Sequence, residues 1–178
     1  CHSRCREEAL KTGIMDPDML TSAFPGLDFH GIQLTPPHIT LEKGLSLHLD
    51  DRQVRLVYFK PGHTVGDTIV YLPQEKVVFA GDLLFLYSTP LAFEGSFAGW
   101  IEIMDAMANL DATSYVPGHG PLCGKEGLGE CREYLALIYN QARRRFDAGM
   151  STSDAARDID LGRFKKWANW ERIIANLE

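Results

Sequence analysis

At 178 residues, 45% of them hydrophobic and 24% charged, the chain has the size and composition of one soluble globular domain with a core of its own. A net charge of −6 argues against non-specific nucleic-acid binding, because a polyanion is repelled on average. No apolar run approaches the ~20 residues that span a bilayer and no basic-then-apolar leader opens the sequence, so the expectation is a cytoplasmic protein with neither a membrane nor a nucleic-acid partner.

The sequence opens on Cys1 without a methionine and passes almost at once into a helix, the pattern expected of an incomplete chain. Cys1, Cys5, Cys123 and Cys131 form no CxxC pair and read as reduced thiols. Cys1, His2 and Cys5 are a candidate metal clip, with helix-end packing as the simpler reading.

Ser3 is placed to cap a helix over Arg6 to Lys11 that Gly13 ends, and Asp16-Pro17 is a second helix start. Residues 24–38, rich in Pro and Gly, read as a loop. The period then changes to two. Leu45, Leu47 and Leu49 alternate with Ser46, His48 and Asp50 as a half-buried strand, and Val54, Leu56 and Tyr58 alternate after a turn, giving a hairpin. Thr68 to Leu72 and Lys76 to Ala80 are two more strands about a Pro73-Gln74-Glu75 turn. Trp100, Ile101, Met104, Met107 and Ala108 follow helical spacing, and Ser114 to Val116 is a short strand ending in Pro117-Gly118-His119-Gly120.

Residues 127–178 read as a helical C-terminal segment of a single truncated domain spanning 1–178. Within it, Glu130 to Ala148 is amphipathic, with Arg143-Arg144-Arg145 as its solvated face, and Ser151 to Asp158 has a capped start. Phe164 to Leu177 puts Trp167, Trp170, Ile174 and Leu177 on one side. Strands followed by alternating helix, strand and helix predict an α/β layer structure.

Three motifs carry chemistry: Pro61-Gly62-His63-Thr64-Val65-Gly66-Asp67, Phe79-Ala80-Gly81-Asp82 and Val116-Pro117-Gly118-His119-Gly120. Each sets a metal-capable side chain beside glycines where a strand runs out into a loop. Glycine there lets the backbone turn sharply and approach a ligand. Imidazole and carboxylate both suit zinc, and a carboxylate has two oxygens with which to bridge two ions. Thr64 and Asp67 read as residues that orient His63.

In this order, the stretches from Pro61 to Phe85 and from Trp100 to Leu122 resemble the second half of the metallo-β-lactamase superfamily, and the likeness continues through Trp170-Glu171-Arg172. The resemblance implies an αβ/βα sandwich, here incomplete, with zinc at the strand ends. It assigns His63 to a first metal, Asp82 to the bridge and His119 to a second metal. The family's N-terminal HxHxDH motif is absent, and His2, His30, His38 and His48 have the wrong spacing to replace it. Two functions follow from the resemblance. One is a zinc hydrolase of small-molecule esters, thioesters, lactams or phosphoesters, acting through metal-activated water, with half of its dinuclear site in this chain and little turnover by that half alone. The other is a non-catalytic truncated domain that acts through self-association, as a homodimer.

Overall fold

The computed structural model describes residues 1–92 and 95–177. The chain divides into two compact units, Cys1–Glu42 and Lys43–Glu178. In the first, helices α1 (Ser3–Thr12) and α2 (Pro17–Ala23) precede the predicted loop. Asp16 caps α2 through its side chain, with Pro17 at the first helical position. The cap of α1 is His2 rather than Ser3: its Nδ1 accepts the Arg4 N–H at 3.2 Å, while the other ring nitrogen lies 3.0 Å from the Glu42 carbonyl. Backbone bonds from Ser3 N to Leu41 O and from Leu41 N to Cys1 O close the unit on itself.

The second unit carries a five-stranded mixed sheet in the order β1-β2-β3-β4-β5, with β1 Gly44–Leu49, β2 Arg52–Tyr58, β3 Thr68–Leu72, β4 Val77–Phe85 and β5 Ser114–His119. The first four strands are antiparallel neighbours, and β5 returns parallel to β4 after the crossover helix α3 (Phe97–Ala108). Helix α3 starts because Ser96 caps it, its Oγ accepting the Gly99 N–H at 3.1 Å. Its Trp100, Ile103, Met104 and Met107 are buried with Ile69, Tyr71, Val78, Ala80 and Tyr115 from one sheet face. Leu128, Cys131, Tyr134, Leu135 and Ile138 of the long helix α4 (Lys125–Asp147) complete this core. Burial of each large apolar side chain contributes about 1.5–3 kcal/mol.

The other sheet face is apolar too. In register across all five strands run Leu45, Leu56, Val70, Phe79 and Val116, none of them buried. The half-buried strand expected at Leu45–Leu49 is therefore corrected: Leu47 and Leu49 are 41% and 57% exposed. Alternation marks which side chains share a face, but whether that face is covered depends on another layer.

Other boundaries also differ from the expected ones, and β5 runs to His119 rather than Val116. Strand β4 runs to Phe85, not Ala80, because Gly81 at φ 54° makes an irregularity in the β4–β5 ladder rather than an end. Helix α4 begins at Lys125, where Glu126 accepts the Gly124 N–H at 2.7 Å, so Gly127 and Gly129 lie inside the helix. After α5 (Thr152–Asp158), the stretch 164–177 is not one amphipathic helix. Short 3₁₀ turns at Gly162–Lys166 and Trp170–Arg172 flank a left-handed Asn169, and only Ile173–Leu177 is α-helical (α6). Trp167 is buried, whereas Trp170 and Ile174 are 41% and 50% exposed. Glu178, the last residue of the predicted helical segment, lies outside the described residues. Among the described residues, no helix is long and apolar enough to cross a membrane.

Candidate metal centre

The three predicted residues come from three places on the second unit. His63 stands in the loop between β2 and β3, Asp82 in the irregular stretch of β4, and His119 at the end of β5. Two of them meet directly: His119 Nε2 lies 3.5 Å from Asp82 Oδ1. This approach is possible because residue 118 is glycine, since a Cβ there would fall 2.1 Å from Asp82 Oδ1.

His63 lies on the same aromatic floor. Its ring centroid is 5.8 Å from that of Phe85, and the Phe85 ring in turn stacks on His119 at 4.6 Å with the planes 15° apart. Trp100 meets His63 edge-on at 5.4 Å, and its indole N–H donates to the Leu83 carbonyl at 2.7 Å, which fixes the wall. Phe85 and the wall role of Trp100 were missed by motif reading. The signal was an aromatic three positions beyond Asp82, opposite His119 across the parallel pair.

The orienting roles expected of Thr64 and Asp67 have a geometric basis. Asp67 accepts the Thr64 N–H at 2.6 Å and its hydroxyl at 2.8 Å, and faces His63 Nδ1 at 3.8 Å. Burial pulls the His63 imidazole toward neutrality, yet the nearby Asp67 carboxylate, with the charge of Asp82 and the Leu91 carbonyl, outweighs it and holds the pKa above its ordinary value. Burial likewise works against ionised Asp67, but His63 and Thr64 hold its pKa below the usual carboxylate range. Gly62 and Gly99 bring the loop and the start of α3 together: a Cβ at 99 would lie 2.4 Å from the Pro61 carbonyl oxygen.

The remaining histidines do other things. His2 caps α1, as the packing reading of Cys1, His2 and Cys5 required, and Cys1 and Cys5 are exposed free thiols. His30 pairs with Asp28 at 2.7 Å and Asp18 at 3.2 Å, and His38 and His48 are exposed.

In donor type, the Asp82–His119 pair fits a divalent ion, and the gap left by Gly118 gives the carboxylate its place. Two donors are fewer than the three or four protein ligands of a zinc site. Among the described residues, no group of three or more His, Cys, Asp or Glu side chains is placed to hold an ion. The residues therefore fit part of a centre, not a closed one.

Residues 2–119 match the sequence profile of the Metallo-beta-lactamase superfamily, ending at His119. A hydroxyacylglutathione hydrolase from Maricaulis maris is 30% identical over 124 residues, which is 68% of this chain and 40% of that protein. The chain thus spans well under half the length of this relative. In fold it is similar to the inverting sec-alkylsulfatase Pisa1 from Pseudomonas sp., with a TM-score of 0.60 at 18% identity over 79% of this chain and 25% of that one. It is also similar to a metallo-beta-lactamase family protein from Thermus thermophilus, with a TM-score of 0.57 at 19% identity over 96% of this chain and 57% of that one.

Proposed function

The chain belongs to the metallo-beta-lactamase superfamily, and we propose that it is part of a metal-dependent hydrolase in which His63, Asp82 and His119 would be this chain's share of the residues that hold zinc. The observation that carries this is the approach of Asp82 and His119 from neighbouring parallel strands, at 3.5 Å. Two polar side chains on neighbouring strands, each next to a glycine, meet there, with the His63 ring on the same Phe85 floor.

A divalent ion held there would supply a Lewis acid for a carbonyl or phosphoryl oxygen. The chain's own residues do the rest. Asp67 orients His63, and the edge of Trp100 and the face of Phe85 exclude water from one side of the imidazoles. The substrate is a small ester, thioester, lactam or phosphoester. Similarity to the Maricaulis maris hydroxyacylglutathione hydrolase puts the thioester first. The ligands still needed come from residues outside this sequence, so this chain by itself turns over little substrate.

Zinc titration with elemental analysis after dialysis tests the reading. The chain binds zinc weakly, Asp82→Asn and His119→Ala weaken it further, and thioester hydrolysis does not exceed that of His63→Ala. Tight retention of two ions overturns the missing-ligand part, and an HxHxDH motif in the coding sequence ahead of Cys1 identifies where the ligands lie.

A second reading, a non-catalytic chain that self-associates as a homodimer, is favoured by the row from Leu45 to Val116, where Phe79 is exposed and the other four side chains are half-buried. The absence of that coding motif, together with a stable dimer, decides for it.

A further inference from the structure

We propose that Phe85 is a positioning residue whose ring sets the imidazole planes of His119 and His63 relative to Asp82; the metal role of those three residues rests on the function proposed above, while the positioning itself does not. Phe85 and His119 are register partners across the parallel strands β4 and β5, so their side chains stand on one face of the ladder. The strands are tied at that level by the Leu86 N–H to the His119 carbonyl at 2.9 Å.

The His119 side chain is 52% exposed and has little packing of its own to choose its rotamer. What it does have is a flat neighbour: the two rings stack at 4.6 Å and 15°. Phe85 is only 2% exposed, so its own orientation is fixed by the core. It also meets His63 at 5.8 Å and Trp100 at 6.2 Å. A rigid buried ring thus contacts both histidines while Asp82, three residues earlier on the same strand, faces His119 Nε2.

Stacking restrains rotation about the side-chain torsions of His119 and leaves its ring edge, with Nε2, turned to the carboxylate. An aliphatic side chain of similar volume fills the same space but has no planar face with which to hold the imidazole. Phe85 therefore acts through the histidines rather than on a substrate.

The test compares the 178-residue chain with Phe85→Leu and Phe85→Tyr, with Phe85→Met replacing the leucine variant if that does not fold. The first readout needs no metal: nuclear Overhauser contacts between the His119 ring protons and the Asp82 β-protons. They are expected in the wild type and in Phe85→Tyr, and lost in Phe85→Leu through rotamer averaging. The second readout is zinc affinity, expected to fall about tenfold in Phe85→Leu, the scale seen when a ligand loses its orienting neighbour, and to stay within about twofold in Phe85→Tyr. Unchanged contacts and affinity in Phe85→Leu overturn the proposal. So does an equal loss in both variants that follows their melting temperatures, because that is a merely structural role. If Asp82→Asn leaves zinc binding unchanged, the metal assignment fails and the Overhauser contacts alone decide the role of Phe85.

Discussion

Gly118 and Asp82 compete for one position: a Cβ on residue 118 would lie 2.1 Å from Asp82 Oδ1, 2.8 Å from the Gly81 carbonyl carbon and 3.0 Å from the Asp82 nitrogen. The first of these contacts could be relieved by turning the carboxylate, but the other two are with backbone. Gly118→Ala must therefore push β4 and β5 apart where they carry Asp82 and His119. The expected cost is about 1–3 kcal/mol, as for other overpacked sites, measured by urea unfolding. The His119 ring should also separate from Asp82, and wild-type stability in Gly118→Ala would show that the strands have slack at this point.

The β1–β2 turn carries strain that can be removed. Leu49 and Arg52 are register partners, so Asp50 and Asp51 form a two-residue loop, and Asp50 sits at φ 53°. That left-handed conformation favours glycine over a residue with a Cβ. Asp50→Gly is expected to stabilise the chain by about 0.5 kcal/mol, net of the extra freedom glycine gains when unfolded. Thermal unfolding of the two proteins side by side checks it, with a lower melting temperature as the contrary result.

Much of the fold was legible because its signals are local. Alternation located β1 and β2, an apolar run before a Pro-Gln-Glu turn located β3, caps located α2 and α5, and helical spacing located α3, since each depends on residues a few positions apart. The site motifs were legible for the same reason, as ligand types beside glycines, although Asp82 lies within β4 rather than at its end. What escaped depends on residues distant in sequence. The exposure of Leu47 and Leu49 turns on what covers the sheet. The floor under the imidazoles needs Phe85 and Trp100 to meet across the β4–α3 connection. The break at Asn169 is a single left-handed residue inside an apolar pattern that helical periodicity alone cannot detect.

The four thiols should react in order of burial. Cys1 and Cys5 are exposed, Cys123 is half-buried and Cys131 is fully buried. Burial pushes the Cys123 thiol up to about 11. Burial also pushes Cys131 up to about 12, against a hydrogen bond from the Phe85 backbone. The thiolate is the reactive form, so a raised pKa and lost access act in the same direction. With Ellman's reagent at pH 8, two thiols should react rapidly, Cys123 slowly, and Cys131 only on unfolding. Rapid release from all four in the native protein would mean that α4 opens away from the sheet.

The partly exposed apolar sheet face leads to an expectation for the chain in solution. Leu45, Leu56, Val70, Phe79 and Val116 form a continuous apolar row, with Leu47 exposed beside Val54 in the next. Apolar patches beyond roughly 300–600 Å² are uncommon on monomeric proteins, and burial is worth ~25 cal/mol per Å², so covering such a face contributes many kcal/mol. Among the described residues strand β1 is also a sheet edge, and an edge strand leaves a row of backbone donors and acceptors without sheet partners. Within a longer protein, further chain can cover both. For the 178 residues alone, the partner available at every concentration is another copy, and a two-fold arrangement closes because each copy presents the same face. Light scattering at micromolar concentration is expected to give twice the 19.9 kDa of one chain. Phe79→Lys, which sets a charge at the middle of the row, should shift the mass toward the monomer while leaving circular dichroism unchanged. A mass of one chain for the wild type, independent of concentration, rules the dimer out. A dimer that Phe79→Lys does not weaken places the interface elsewhere, off the apolar row.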